Sequence, residues 1–168
     1  MVVCLWAILS AATRGQEADP FEAAAFDPAV PAPADVVGHA LGAAFTPHHS
    51  VVAYMQALAR TSPRANLVPY GETYEGRELL LLVLTDPERM SRLDETLADL
   101  ARLADPRRLE GADVAALLDR LPVVVWLSYN VHGDESSGTE AALAVAHRLA
   151  AGPDPDTRRR LADAIVVG

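Results

Sequence analysis

Apolar and polar positions recur along this chain with two different periods, and the switches between them mark its elements. Val51, Met55 and Leu58 fall three or four residues apart, with Val52 and Ala59 widening the stripe. That spacing predicts an amphipathic helix, with Thr46 as N-cap, Pro47 at the first helical position and Ser62-Pro63 as its stop. Leu67 to Tyr74 reads as a strand, and a Glu75-Gly76 turn leads into the apolar strand Arg77 to Thr85, bounded by Asp86-Pro87. The two strands predict an antiparallel hairpin. Leu93, Leu97, Leu100 and Leu103 predict a further helix, and Val114, Leu117 and Leu118 a shorter one after Gly111.

Pro122 opens the run Val123 to Tyr129, which reads as a buried strand. Ser137-Gly138-Thr139-Glu140 fits a capping box, so a helix is expected to start there, with Leu143, Val145, Ala146 and Leu149 on its core face and Gly152-Pro153 at its end. A short helix from Pro155 to Leu161 then precedes a strand beginning at Ala164-Ile165-Val166-Val167. Hairpin, helices, strand, helix, strand is the order of an α/β fold, a sheet with helical layers.

The flanking segments differ. Residues 16–45 hold Glu17, Asp19, Glu22, Asp27 and Asp35, no lysine or arginine, and prolines at 20, 28, 31 and 33. Such a stretch buries too little apolar area to fold alone, so it is expected to be a linker or extended arm, with the ordered domain from 46 to 168. Residues 1–15 begin with the apolar run Val2 to Leu9 followed by Ser10, Ala11 and Ala12. That run suits a signal-peptide core and is too short to span a bilayer, so a secreted or periplasmic location is expected, without stable membrane insertion. A basic n-region is missing apart from the α-amino group.

Composition narrows the function classes. The chain has 168 residues, 51% of them hydrophobic but only 5% aromatic, which implies an aliphatic core. A net charge of −9 argues against nucleic acid and anionic membranes as partners, since both need a basic surface. The single cysteine, Cys4, excludes an intrachain disulfide and a cysteine-based zinc site.

Against this background the stretch Asn130-Val131-His132-Gly133-Asp134-Glu135-Ser136-Ser137-Gly138 is the richest in chemistry. It offers an imidazole and a carboxylate three residues apart, between an apolar strand and a helix start. Ligands of open α/β sheets bind at that end of a strand. Gly133 is expected to let the backbone turn sharply, Gly138 to leave room at the helix start, and Asn130 to hold the turn. Zinc accepts nitrogen and oxygen donors, so His132 and Glu135 are the candidate metal ligands. A solvated loop in which Glu135 merely favours the positive helix end remains open at this point. His147 reads as an ordinary helix residue, His48 and His49 as capping or solvent-facing, and His39 as part of the linker. Glu140 reads as the capping partner of Ser137, and Glu72, Glu75 and Arg77 as hairpin surface. Ser136 and Ser137 have no basic partner at a spacing that would make either a nucleophile.

Three segments carry a resemblance: Tyr70 to Arg77 leading into its apolar strand, Pro122 to Asn130, and His132 to Ala142. Together they resemble the zinc carboxypeptidases, the carboxypeptidase A-like metallopeptidases, over roughly Thr46 to Gly168. The resemblance implies a three-layer α/β fold, a mixed sheet with helices on both faces, of which this chain would be a truncated, N-terminal portion. It implies Zn2+ as cofactor, His132 and Glu135 as two of three ligands, and a peptide or protein substrate cleaved at its C-terminal bond. Such sites hold zinc by two histidines and a glutamate, and a separate glutamate acts as general base. The second histidine and the base would lie beyond Gly168, so no catalytic residue is expected within the chain. The carboxylate-binding Asn-Arg pair is likewise absent, and Asp134 stands where pancreatic-type members carry arginine, which suggests a divergent, bacterial-type branch.

Two other classes fit the same turn. Zinc amidohydrolases of the aspartoacylase/succinylglutamate desuccinylase type also use H-G-x-E, although there it comes early in the chain. An inactive fragment or non-catalytic binding domain is the third expectation.

Overall fold

A computed structural model describes residues 25–105, 107, 109 and 114–168. The expected leader, residues 1–15, the first part of the expected linker and Gly111 lie outside the described residues. Among the described residues seven helices surround a four-stranded sheet of order β1-β2-β4-β3. The strands are β1 (Ala65–Glu72), β2 (Glu78–Leu84), β3 (Val123–Trp126) and β4 (Ala164–Val167). The helices are α1 (Pro33–Val37), α2 (His48–Thr61), α3 (Pro87–Met90), α4 (Leu93–Ala104), α5 (Val114–Arg120), α6 (Ser136–Ala151) and α7 (Pro155–Asp163).

The expected hairpin forms, with Ala65 opposite Leu84 and Glu72 opposite Glu78. β2 pairs antiparallel with β4, and β4 parallel with β3, so the sheet is mixed. Alternation along β2 and β4 sends side chains to two sides. Leu82, Leu84 and Val166 join Tyr54, Leu58, Leu143 and Ala146 of α2 and α6 in one cluster, while Val83 and Ile165 meet Leu93 and Met90 in another. Helices therefore cover both faces, as the apolar pattern of Leu79 to Leu84 requires of a strand buried on two sides. β1 is an outer strand. It carries Pro69 and a register shift between Pro69 and Gly71, both of which interrupt an edge that could otherwise pair with another chain.

Side chains lock the helix ends to one another. Ser62 closes α2 by donating its amide to Leu58 O at 2.9 Å, and its hydroxyl to Ala150 O in α6 at 2.8 Å. Arg64 Nη1 donates to Leu149 O and Gly152 O at 3.2 and 2.7 Å, capping the carbonyls at the end of α6. Asp154 caps α7 by accepting from Thr157 N at 2.8 Å.

Three sequence expectations change. Residues 25–45, expected as part of a linker, pack onto the domain. Val30 is 4% exposed, and Phe26, Val36, Val37 and Leu41 lie against the α2–α6 cluster. Asp27 N also donates to Ala151 O at 3.0 Å. A segment too poor in apolar residues to fold alone can still fold onto a surface that the rest of the chain presents. Pro47 occupies the N-cap of α2 rather than its first turn, because Thr46 spends its hydroxyl elsewhere. Finally, β3 is not buried among the described residues: it lies at the sheet edge opposite β1, and Val123 and Trp126 are 65% and 60% exposed.

Candidate metal turn and its groove

The chain leaves β3 with one more sheet bond, Leu127 N to Val167 O at 2.8 Å, and then reverses. The reversal is made by Asn130, whose φ of 51° puts it in the left-handed region that asparagine tolerates better than most residues. Its Nδ2 donates to Thr139 Oγ1 at 2.6 Å, which ties the strand end to the first turn of α6. Gly138 sits against the Asn130 side chain so closely that a Cβ there would collide with Oδ1. The expectation for Gly138 therefore holds. That for Gly133 does not: its φ is not positive and a Cβ would meet open space, so the sharp turn belongs to Asn130.

Between these anchors the loop folds on itself through Glu135 N to His132 O at 3.2 Å and Gly138 N to Glu135 O at 3.1 Å. The result brings His132 Nδ1 to 2.9 Å from Glu135 Oε1, on the solvent side, with the two side chains 71% and 56% exposed. Glu135 occupies the N-cap position of α6 without capping it, so its carboxylate is directed to His132 instead of the helix. Two ligands of a tetrahedral zinc at about 2.1 Å stand about 3.4 Å apart, so a small side-chain rotation would let both donors share one ion. The donor set fits zinc, as half of a site. Among the described residues no group of three His, Cys, Asp or Glu converges.

Glu140 does not pair with Ser137. It reaches back to the segment before α2, accepting from Thr46 Oγ1 at 2.6 Å and Gly42 N at 3.0 Å, with His39 Nε2 at 3.3 Å from the same Thr46 hydroxyl. Burial pulls the Glu140 carboxyl upward, but the bonds from Thr46 and Gly42 and the charge of His39 outweigh it and hold the group below its usual range. His147 is buried in α6 against Phe26, ring centroids 4.4 Å apart, and burial lowers its pKa although Asp35 acts in the opposite sense. It is a buried helix residue, where the sequence reads as an ordinary helix position.

Beside the turn lies a groove of about 620 Å³. Gly133, Asn130 and Tyr129 line it together with His48 and His49 of α2, Arg77 of the hairpin tip and mostly uncharged residues around Thr46. These three basic residues were invisible to sequence reasoning as parts of one surface, since they come from segments that only the closed sheet brings together.

A family model described as zinc carboxypeptidase matches residues 51–167. A comparison with curated proteins gives no match.

Proposed function

The chain belongs to the zinc carboxypeptidase family, and from that membership we propose that it is part of a secreted or periplasmic metallocarboxypeptidase that removes residues from peptide C-termini. The observation that carries the reading is the convergence of His132 Nδ1 and Glu135 Oε1 at the carboxyl end of β3. His132 and Glu135 would hold the metal, and Asn130 and Thr139 fix the loop that presents them. A zinc ion held there would polarise the scissile carbonyl and lower the pKa of its bound water. The groove at Gly133 would receive the substrate. The third ligand and the general base are not assigned to any described residue. Export rests on residues 1–15, outside the described set.

The test is hydrolysis, by the zinc-loaded enzyme of which this chain is proposed to be part, of peptides with free C-termini, the same peptides with amidated C-termini, and N-acyl amino acids. Zinc-dependent cleavage of the free-ended peptides, lost in His132→Ala, is expected. Turnover of N-acyl amino acids alone would replace this reading with the amidohydrolase one.

A further inference from the structure

The groove beside the metal turn differs in charge from the protein around it. The chain carries 23 acidic residues against 14 lysines and arginines, yet among the described residues no Asp or Glu lines this groove, while Arg77, His48 and His49 do. Asp134 and Glu78, next in the chain to Gly133 and Arg77, are outside its lining, and two other carboxylates near it are engaged. Glu135 meets His132, and Glu140 is held by Thr46 and Gly42.

Arg77 is placed for a ligand rather than for the fold. Its backbone closes the hairpin turn, N to Thr73 Oγ1 at 3.1 Å and O from Thr73 N at 2.9 Å, and needs nothing from the guanidinium. That side chain is 60% exposed and its Nη2 meets Glu75 at 2.7 Å. An exposed ion pair of this kind contributes little and exchanges readily. A guanidinium keeps its charge at any working pH and matches a carboxylate with two parallel donors. Each histidine adds a ring N–H donor in either protonation state.

We propose that this groove selects substrates bearing an acidic side chain close to the scissile bond, with Arg77 as the specificity-determining residue and His48 and His49 as supporting donors. The inference rests on the metallopeptidase reading of the same turn. It names the class of peptide that site takes.

The probe is a pair of N-acetylated tripeptides with free C-termini, identical except for Glu or Gln at the first residue. Affinity is read by calorimetry on this chain and kcat/KM by product release on the zinc-loaded enzyme of which it is proposed to be part. The Glu peptide should bind about tenfold tighter, equivalent to about 1.4 kcal/mol. The Glu/Gln ratio should fall to within about twofold in Arg77→Gln, recover in Arg77→Lys, and shrink as salt rises from about 50 to about 500 mM. The salt series needs only the unaltered protein. A ratio near one, a ratio insensitive to salt, or a ratio that survives in folded Arg77→Gln overturns the proposal. Equal affinity with both peptides cleaved would sink the acidic preference and keep the peptidase. Tighter binding of the Glu peptide without cleavage of either would do the reverse.

Discussion

Thr46 donates its hydroxyl to Glu140 Oε1 at 2.6 Å across 94 positions of the chain. The bond joins the segment entering α2 to the first turns of α6, five residues past Glu135. Thr46 is 1% exposed, so removing the hydroxyl leaves a partly buried carboxylate short of a donor. Thr46→Val should therefore cost about 1–3 kcal/mol by chemical denaturation near neutral pH. The pH dependence has a definite sign. Glu140 is held below the ordinary glutamate range in the folded state, so its contribution is present above the unfolded value of about 4.3 and is lost as pH falls through the depressed one. The stability gap between wild type and Thr46→Val should narrow below about pH 4. A gap that stays constant would mean the hydroxyl acts through packing alone.

The two glycines of the turn should respond oppositely to a methyl group. At Gly138 the new Cβ runs into Asn130 Oδ1, and either Asn130 or the start of α6 must move. Gly138→Ala should cost about 1–3 kcal/mol and lower the melting temperature. At Gly133 the Cβ meets open space at an ordinary φ, so Gly133→Ala should stay within about 0.5 kcal/mol of wild type. Equal losses at both positions would show that the turn is built differently.

His147 supplies a second pH signature. Burial depresses its pKa, so the unfolded chain binds the extra proton first as pH falls. Its neutral, buried form contributes fully above the unfolded value of about 6.5, and that contribution declines as pH drops from there toward the lower folded value. A melting series from about pH 7 to about pH 5 should show a decline that His147→Phe reduces. An unchanged slope in the variant would exclude His147 as its source.

Much of this molecule is legible in its residues, for a physical reason that also marks the limit. Helix stripes such as Val51, Met55 and Leu58, and the hairpin around Glu75-Gly76, are local patterns that reveal themselves at short range. The approach of His132 to Glu135 was legible for the same reason, the two being three residues apart in one turn. What pattern cannot carry is partnership at a distance. Glu140 looks like the mate of Ser137 because that match is local, whereas its real partners, Gly42 and Thr46, lie far back in the chain. Val30 and Phe26 sit in a stretch whose average composition is that of an arm, and only the α2–α6 surface makes them core. Asn130 carries the turn, yet glycine is the expected carrier of such geometry and Gly133 is nearby. The apolar run at Val123 reads as interior because hydrophobicity alone does not say which strand lies at an edge.

The central claim is that His132 and Glu135 together make a zinc half-site, and titration of the metal-free chain with zinc by calorimetry tests it most directly. One site should appear in the wild type, weaker than a complete three-ligand centre. His132→Ala and Glu135→Gln should each lower its affinity at least about tenfold, while the paired change His48→Gln with His49→Gln leaves it within about twofold. Zinc affinity that is unchanged in His132→Ala, or lost equally in the His48/His49 variant, would contradict the account.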